Sequence, residues 1–243
     1  MRPVNNCAFF FDLDNTLFNY EASFKKASLF AFNSIFVPQL NQLVDLEKWF
    51  RSYKGFCDLY WSSYETNKIT KEEYRRNRLI ASFIALNLPI SFKEDALLRY
   101  QSLVEESIPA FVEPYPWIGK IWNRLNESCS HVGVISNGGS KLQREKLKKL
   151  RLNLSTATIY ISSEISLAKP SAEVFTYAAS KCSAKNYYYC GDSYEFDILP
   201  AVQAGWTGIW WNPEKRKGHI MDKNIQICHT SENLWNTFMK YIE

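Results

Sequence analysis

Phe9-Phe10-Phe11-Asp12-Leu13-Asp14-Asn15-Thr16-Leu17 is the stretch around which this 243-residue chain is organised. The apolar run Cys7–Phe11 is bounded by polar turn formers and is too short for a helix, so it predicts a buried β-strand. The strand ends on two carboxylates, Asp12 and Asp14, spaced i, i+2. On an ideal strand they would share a face. At a strand's C-terminal end, where the backbone turns, they can instead flank a common pocket. Two anions held that close repel each other, and a divalent cation or a nearby lysine is the usual remedy.

Composition narrows the classes. At 46% hydrophobic and 22% charged the chain is an ordinary soluble globular protein, long enough for one large domain or two modest ones. The formal charge of +4, from 29 basic and 25 acidic residues, is too small to argue for a nucleic acid polymer as partner. The basic run Lys141–Arg151, in which Lys and Arg alternate with Leu, reads as the solvated face of a helix. Lys215-Arg216-Lys217 reads as a short exposed basic patch with no clear partner. The six cysteines are widely spread, with no CxxC pair and no metal-ligand spacing, which predicts reduced thiols. Cys7 and Cys190 fall inside predicted buried strands, where cysteine behaves as a small hydrophobe. The N-terminus lacks the pattern of a signal peptide, and no segment approaches the roughly 18 apolar residues of a membrane span. A cytoplasmic protein with no membrane contact is expected.

After Leu17, strand character stops for almost a hundred residues. Phe24, Ala27, Ala31 and Ile35 carry a helical period that Pro38 closes. Leu46, Trp49, Phe50, Tyr53, Tyr60, Trp61 and Tyr64 form the next stripe, with Gly55 a weak point. Its Trp49–Tyr64 portion reads as core rather than a substrate box. Thr70-Lys71-Glu72-Glu73 is a capping-box pattern opening a helix to about Leu86, and Ser91-Phe92-Lys93-Glu94 repeats it. Pro109, Pro114 and Pro116 punctuate the exit. From Trp117, helices alternate with strands at His131–Ile135, Thr156–Ile161, Asn186–Cys190, Thr207–Trp211 and Ile225–Cys228. Between them, helices are expected to about Leu152, from Pro170 or Ser171, over Asp197–Ala204 and from about Ser231. This alternation predicts an α/β fold with a parallel sheet, whose ligands bind beyond the C-terminal strand ends.

Those strand ends yield a short list: Asp12 and Asp14; Ser136, Asn137 and Gly138; Lys169 before Pro170; and Gly191-Asp192-Ser193 with Asp197 five residues beyond Asp192. Four carboxylates favour a hard, oxygen-loving cation, and Mg²⁺ fits. Backbone N–H groups of the Asn137–Gly139 turn and the following helix start suit a phosphate. Lys169 can neutralise both the anionic pocket and a phosphoryl group. Carboxylates, a cation and a phosphate cradle together point to phosphoryl transfer.

In these residues the chain resembles the haloacid dehalogenase-like hydrolase superfamily. Its DxDxT motif is matched by Asp12-Leu13-Asp14-Asn15-Thr16, and its Ser or Thr after an apolar strand by Ile135-Ser136-Asn137-Gly138. Its lysine motif is matched by Lys169-Pro170-Ser171-Ala172-Glu173-Val174-Phe175. The GDxxxxD motif is matched by Gly191-Asp192-Ser193-Tyr194-Glu195-Phe196-Asp197. Pro200 departs from the family's pattern and should affect the helix entry more than the chemistry. The resemblance implies a Rossmann-like core with helices on both faces (1–18 and 114–243) and a small all-helical cap domain (19–113). It further implies that Asp12 attacks phosphorus, that Asp14 serves as acid and then base, and that Lys169 completes the catalytic set. Mg²⁺ would be held by Asp12, the main-chain carbonyl of Asp14 and Asp192, with Asp197 supporting a metal-bound water or Lys169. Ser136, Asn137, Gly138 and Lys169 would hold the phosphoryl group. The implied substrate is a small phosphorylated metabolite, such as a nucleoside monophosphate or a sugar phosphate.

Taken singly, each motif also has a bland reading as a turn, a helix cap or a solvated lysine. All of them would have to hold at once. Asp14 disfavours a dehalogenase, because departing halide needs no proton whereas an alkoxide does. A phosphonatase would need a cap lysine, and nothing singles out Lys25, Lys26 or Lys54. The alternatives are a phosphomutase of the β-phosphoglucomutase type and a non-catalytic binding module on the same fold. His131, His219 and His229 read as structural or solvated, and Trp206, Trp210 and Trp211 as packing.

Overall fold

The strands β1 (Asn5–Phe11), β2 (Cys129–Ser136), β3 (Thr158–Ile161), β4 (Asn186–Gly191), β5 (Thr207–Trp211) and β6 (Ile225–Cys228) form one sheet in the order β3-β2-β1-β4-β5-β6. All its pairings are parallel in the computed structural model, which describes residues 5–40, 42–89, 94–218 and 222–242. The sheet belongs to one of two compact units, Met1–Tyr20 with Val112–Glu243; the other is Glu21–Phe111.

Alternation along β1 explains why its Cys7–Phe11 portion had to be apolar throughout. Cys7, Phe9 and Phe11 enter a cluster with Trp122 and Leu125 of α5 (Ile118–Ser128) and Leu234 and Phe238 of α10 (Ser231–Ile242). Ala8 and Phe10 enter a second cluster with Val174, Phe175 and Ala178 of α8 (Glu173–Lys181) and with Trp206. Helices therefore cover both faces, and a strand buried on both sides reads as a continuous hydrophobic run. The order places β1 between β2 and β4, where the chain first builds outward on one side and then returns to build on the other. That switch point is where open parallel sheets leave a crevice beyond their strand ends.

The helical unit contains most of α1 (Tyr20–Ile35), then α2 (Leu46–Glu65), α3 (Lys71–Ala85) and α4 (Glu94–Ser107). Asp45 caps α2 by accepting from the Lys48 N–H, and the helix runs through Gly55 without interruption. Thr70 and Glu73 make the expected reciprocal capping box on α3, at 3.1 and 2.7 Å. The second such pattern, at Ser91–Glu94, falls on positions outside the described residues, apart from the backbone of Glu94. Trp49 and Tyr53 are fully buried against Phe32 and Tyr100, so that part of the aromatic stripe is core. Trp61, by contrast, lies at the exposed end.

Several boundaries depart from expectation for local reasons. β3 begins at Thr158 because the Ala157 N–H turns back to the Leu154 carbonyl. The helix after β2, α6 (Ser140–Lys149), stops short of Leu152, and Arg151 takes a left-handed φ of +56°. α8 starts at Glu173 because Ser171 is still in a turn, donating to the Ala168 carbonyl. Before α9 (Leu199–Gln203) the chain forms a π-helical turn, Tyr194–Ile198, and Pro200 sits in the first turn of α9, where a missing N–H costs no hydrogen bond. A short helix, α7 (Ser162–Ile165), follows β3 directly and has no helical period in the sequence to announce it. All six cysteines are free and buried. Among the described residues no helix is long and apolar enough to cross a membrane.

Candidate active site

The C-terminal ends of the three central strands bring the motif residues together. Asp12 directly follows β1, and its N–H donates to the Cys190 carbonyl at 2.8 Å, carrying the β1–β4 ladder one step beyond the strand. The chain then leaves the sheet through Asn15, whose φ of +58° is a left-handed conformation that asparagine tolerates. Ser136 is the last residue of β2, and Asp192 follows Gly191 at the end of β4.

Lys169 is the hub. Its buried ammonium lies 2.6 Å from Asp12 Oδ1 and 2.5 Å from Asp197 Oδ1, and it donates to the Tyr189 hydroxyl at 3.0 Å. Tyr189 in turn donates to the Ile135 carbonyl at 2.8 Å, which fixes the hydroxyl as an acceptor for the lysine. Burial works against the charged lysine, but Asp12 and Asp197 outweigh it and hold its pKa above the usual lysine value. Asn137 fixes the lysine's backbone: its side-chain amide donates to the Lys169 carbonyl at 2.7 Å and accepts the Lys169 N–H at 3.0 Å. Asp197 reaches this point because the π-helical turn folds its side chain onto Gly191, and the Ser193 N–H donates to its other oxygen at 2.9 Å. A Cβ on Gly191 would lie 2.4 Å from the Cβ of Asp197, so only glycine fits.

Oxygens of Asp12, Asp192 and Asp197 all lie within 4.8 Å of one another. Burial raises the Asp12 carboxyl well above the usual range, helped by the three neighbouring carboxylates and opposed by Lys169. Burial and Asp197 likewise raise Asp192 to about 6, opposed by Arg216, whose guanidinium stands 3.2 Å from it. An all-oxygen donor set that remains short of positive charge fits a hard divalent cation such as Mg²⁺.

Three expectations need correction. The basic helix α6 is not simply solvated: Lys146 is buried and bonds both oxygens of Asp14, at 2.9 and 2.8 Å. Its neighbour Gln143 donates to Ser136 Oγ at 2.7 Å and to the Asn137 carbonyl at 2.9 Å, with Asp14 sharing the same amide nitrogen at 3.3 Å. Second, Arg216 of the basic patch has a partner in Asp192 and also lines a cleft with Trp210, Asn212 and His229. Third, the Gly138 and Ser140 amides expected to face a phosphate donate instead to the hydroxyls of Ser162 and Ser163 on α7, at 2.9 and 2.8 Å. Gly138 keeps a conformational role through its φ of +144°. His229 is structural, its Nδ1 lying 2.6 Å from the Asn212 carbonyl and donating to it; His131 lies half-buried in β2, and His219 falls outside the described residues. Trp206 and Trp211 pack in the cores of the two faces, while the Trp210 indole also donates to the Asp192 carbonyl at 2.9 Å.

Lys146, Gln143, Tyr189 and Arg216 carried no motif. Lys146 and Gln143 share one helical face at i, i+3, a spacing common to exposed and buried pairs alike. A tyrosine in mid-strand is the faint signal for Tyr189, since a buried hydroxyl requires a partner.

The chain is similar to known proteins. The chain is 25% identical over 211 residues to the pyrimidine 5'-nucleotidase YjjG of Escherichia coli, an alignment covering 86% of this chain and 87% of that one. It is 26% identical over 227 residues to the glyceraldehyde 3-phosphate phosphatase of Methanothermobacter thermautotrophicus, covering 90% and 93%. Its fold matches the magnesium-bound crystal structure of the HAD-hydrolase YfnB from Bacillus subtilis, with a TM-score of 0.76 at 20% identity over 97% of this chain and 99% of that one. Residues 9–210, from the first motif strand to β5, match the family model for haloacid dehalogenase-like hydrolases. With that span and all four motifs in order, the chain belongs to the haloacid dehalogenase-like hydrolase family.

Proposed function

We propose that this protein is a Mg²⁺-dependent phosphatase that hydrolyses a small phosphomonoester through an aspartyl-phosphate on Asp12. The observation that carries this reading is the Asp12–Lys169–Asp197 contact set, with Asp192 within reach of the same point. The names of the two aligned relatives, a nucleotidase and a triose phosphate phosphatase, support it and favour a nucleoside monophosphate or sugar phosphate as substrate.

In the first half-reaction an Asp12 oxygen bonds to phosphorus, the ester P–O bond breaks, and Asp14 gives its proton to the departing oxygen. In the second, water attacks phosphorus, the bond to Asp12 breaks, and Asp14 takes the water's proton. The balance is ester plus water to alcohol plus phosphate. Lys169 holds Asp12 in place and offers charge to the phosphoryl oxygens, while Ser136 presents a hydroxyl at the adjoining strand end. Asp12 and Asp192, with the main-chain carbonyl of Asp14, would hold Mg²⁺, which supplies charge neutralisation for the incoming phosphate. Asp197, with one oxygen on Lys169 and the other on the Ser193 N–H, is assigned to keeping that lysine aligned. Insertion of the helical unit directly after Asp14 supports a part for it in choosing the ester.

Asp12→Asn should abolish turnover of 4-nitrophenyl phosphate with the fold intact by circular dichroism. Substantial remaining turnover would refute the covalent route, and turnover that survives EDTA would remove the metal. A panel of phosphorylated metabolites identifies the ester.

A further inference from the structure

Lys146 is in an unexpected place for a lysine on α6. Its neighbour Lys148 is exposed, and solvent was equally open to a helix this basic. Yet the Lys146 side chain is 2% exposed, with its ammonium on both oxygens of Asp14 and 4.7 Å above the centre of the Tyr20 ring. Burying an ammonium is costly unless it is paired and hydrogen-bonded, and anchoring α6 needs no charge, since Leu147 beside it is already buried in the core. The ammonium therefore acts on what it touches. Asp14 is more open, its side chain 28% exposed, and it lies beyond the end of β1. Gln143, 1% exposed and one turn earlier on α6, links the same carboxylate to Ser136 Oγ.

We propose that Lys146 is a positioning residue for the hydrolysis: it locks the Asp14 carboxylate in the orientation from which the proton is exchanged with the departing oxygen. Gln143 holds that carboxylate in register with Ser136, so α6 couples the proton-transfer group to the phosphoryl-binding end of β2. This rests on the reading of Asp14 as acid and base given above. Its consequence is selective. A misplaced Asp14 penalises esters whose alkoxide must be protonated as it leaves, and spares those whose leaving group departs as a stable anion.

The test compares an alkyl phosphate with 2,4-dinitrophenyl phosphate, at saturating Mg²⁺, in Asp14→Asn, Lys146→Met, Lys146→Arg and the double variant Asp14→Asn/Lys146→Met. Asp14→Asn is expected to lower kcat for the alkyl ester by about 100-fold or more, and for the dinitrophenyl ester by much less. Lys146→Met should reproduce the selectivity at about 10- to 100-fold on the alkyl ester and under about 3-fold on the other, with KM little changed. Lys146→Arg, which keeps a cation on Asp14, should restore the ratio of the two esters to within about threefold of the parent. In the double variant, Lys146→Met should add no further loss to Asp14→Asn. An equal loss on both esters in Lys146→Met, or additive losses in the double variant, would mean that Lys146 only braces α6 and would overturn the proposal. If Lys146→Met is insoluble, the double variant and Lys146→Arg carry the same decision, because neither leaves a buried charge facing an apolar side chain. A failure of Asp14→Asn itself to discriminate between the esters would instead sink the acid–base reading of Asp14.

Discussion

Asp192 shows how a single residue ties the site to pH. Burial and the Asp197 carboxylate raise it from an ordinary 3.8 to about 6, against the pull of Arg216. A carboxyl raised by folding keeps its proton in the native state while the unfolded chain has already lost it. In the metal-free protein its contribution to stability is therefore full below pH 4 and is lost as pH rises to about 6, by up to about 3 kcal/mol, and flat above that. Urea unfolding of the parent and Asp192→Asn in EDTA, between pH 4 and 8, isolates this term: the parent should lose stability relative to the variant across that window. A parent that gains stability there would place Asp192 below its ordinary value. Gly191 makes a steric prediction next door. Gly191→Ala puts a methyl where Asp197 lies and should cost about 1–3 kcal/mol by overpacking. Turnover should also fall at least about tenfold as Asp197 is pushed off Lys169, read by thermal melts alongside kinetics. The motif carboxylates and Lys169 were legible because motif spacing marked them, and Asp12, Asp14 and Asp192 also because they follow apolar strands. Lys146 and Arg216 were not, because a cation's sequence neighbours do not reveal which anion it will meet across 132 or 24 residues of chain.

Elements show the same division between local and distant causes. The capping box on α3 is written in four consecutive residues, and it forms as read. Thr70→Ala removes one hydrogen bond from the helix start and should destabilise the helical unit by about 1 kcal/mol, measured by urea denaturation followed at 222 nm. No change would mean that water replaces the cap at no cost. The π-helical turn Tyr194–Ile198 and the short α7 lie at the other extreme. The first exists because Asp197 must pack on Gly191 while two successive N–H groups, of Asp197 and Ile198, share the Ser193 carbonyl. The second places two serine hydroxyls against the turn after β2 and Glu164 against Arg144, at 2.7 Å on each carboxylate oxygen. Neither has a period or a breaker of its own.

For the molecule as a whole, the sheet order decides which residues become neighbours. Asp12, Ser136 and Asp192 come from strands far apart in the chain and meet because β2, β1 and β4 are adjacent. A cation bound by that meeting point stabilises only the folded state. Added Mg²⁺ should stabilise the folded state in proportion to the logarithm of its concentration above Kd, by about 2.7 kcal/mol at a hundred times Kd, and raise the melting temperature accordingly. Asp192→Asn should remove most of that rise, and an equal Mg²⁺ response in the variant would show that the ion binds elsewhere.

The sequence by itself determined the α/β class, the all-helical block between the first motif and the rest, and which carboxylates and lysine belong to the motifs. Hydrophobic period, capping patterns and motif spacing are local, and they survive being read along a line. Only the tertiary structure decided that Lys146 turns inward to Asp14, that Arg216 holds Asp192, and that α7 occupies amides expected to face a phosphate. Those pairings depend on which side chains converge once six strands are laid side by side, and a buried charge finds its partner in space rather than in sequence.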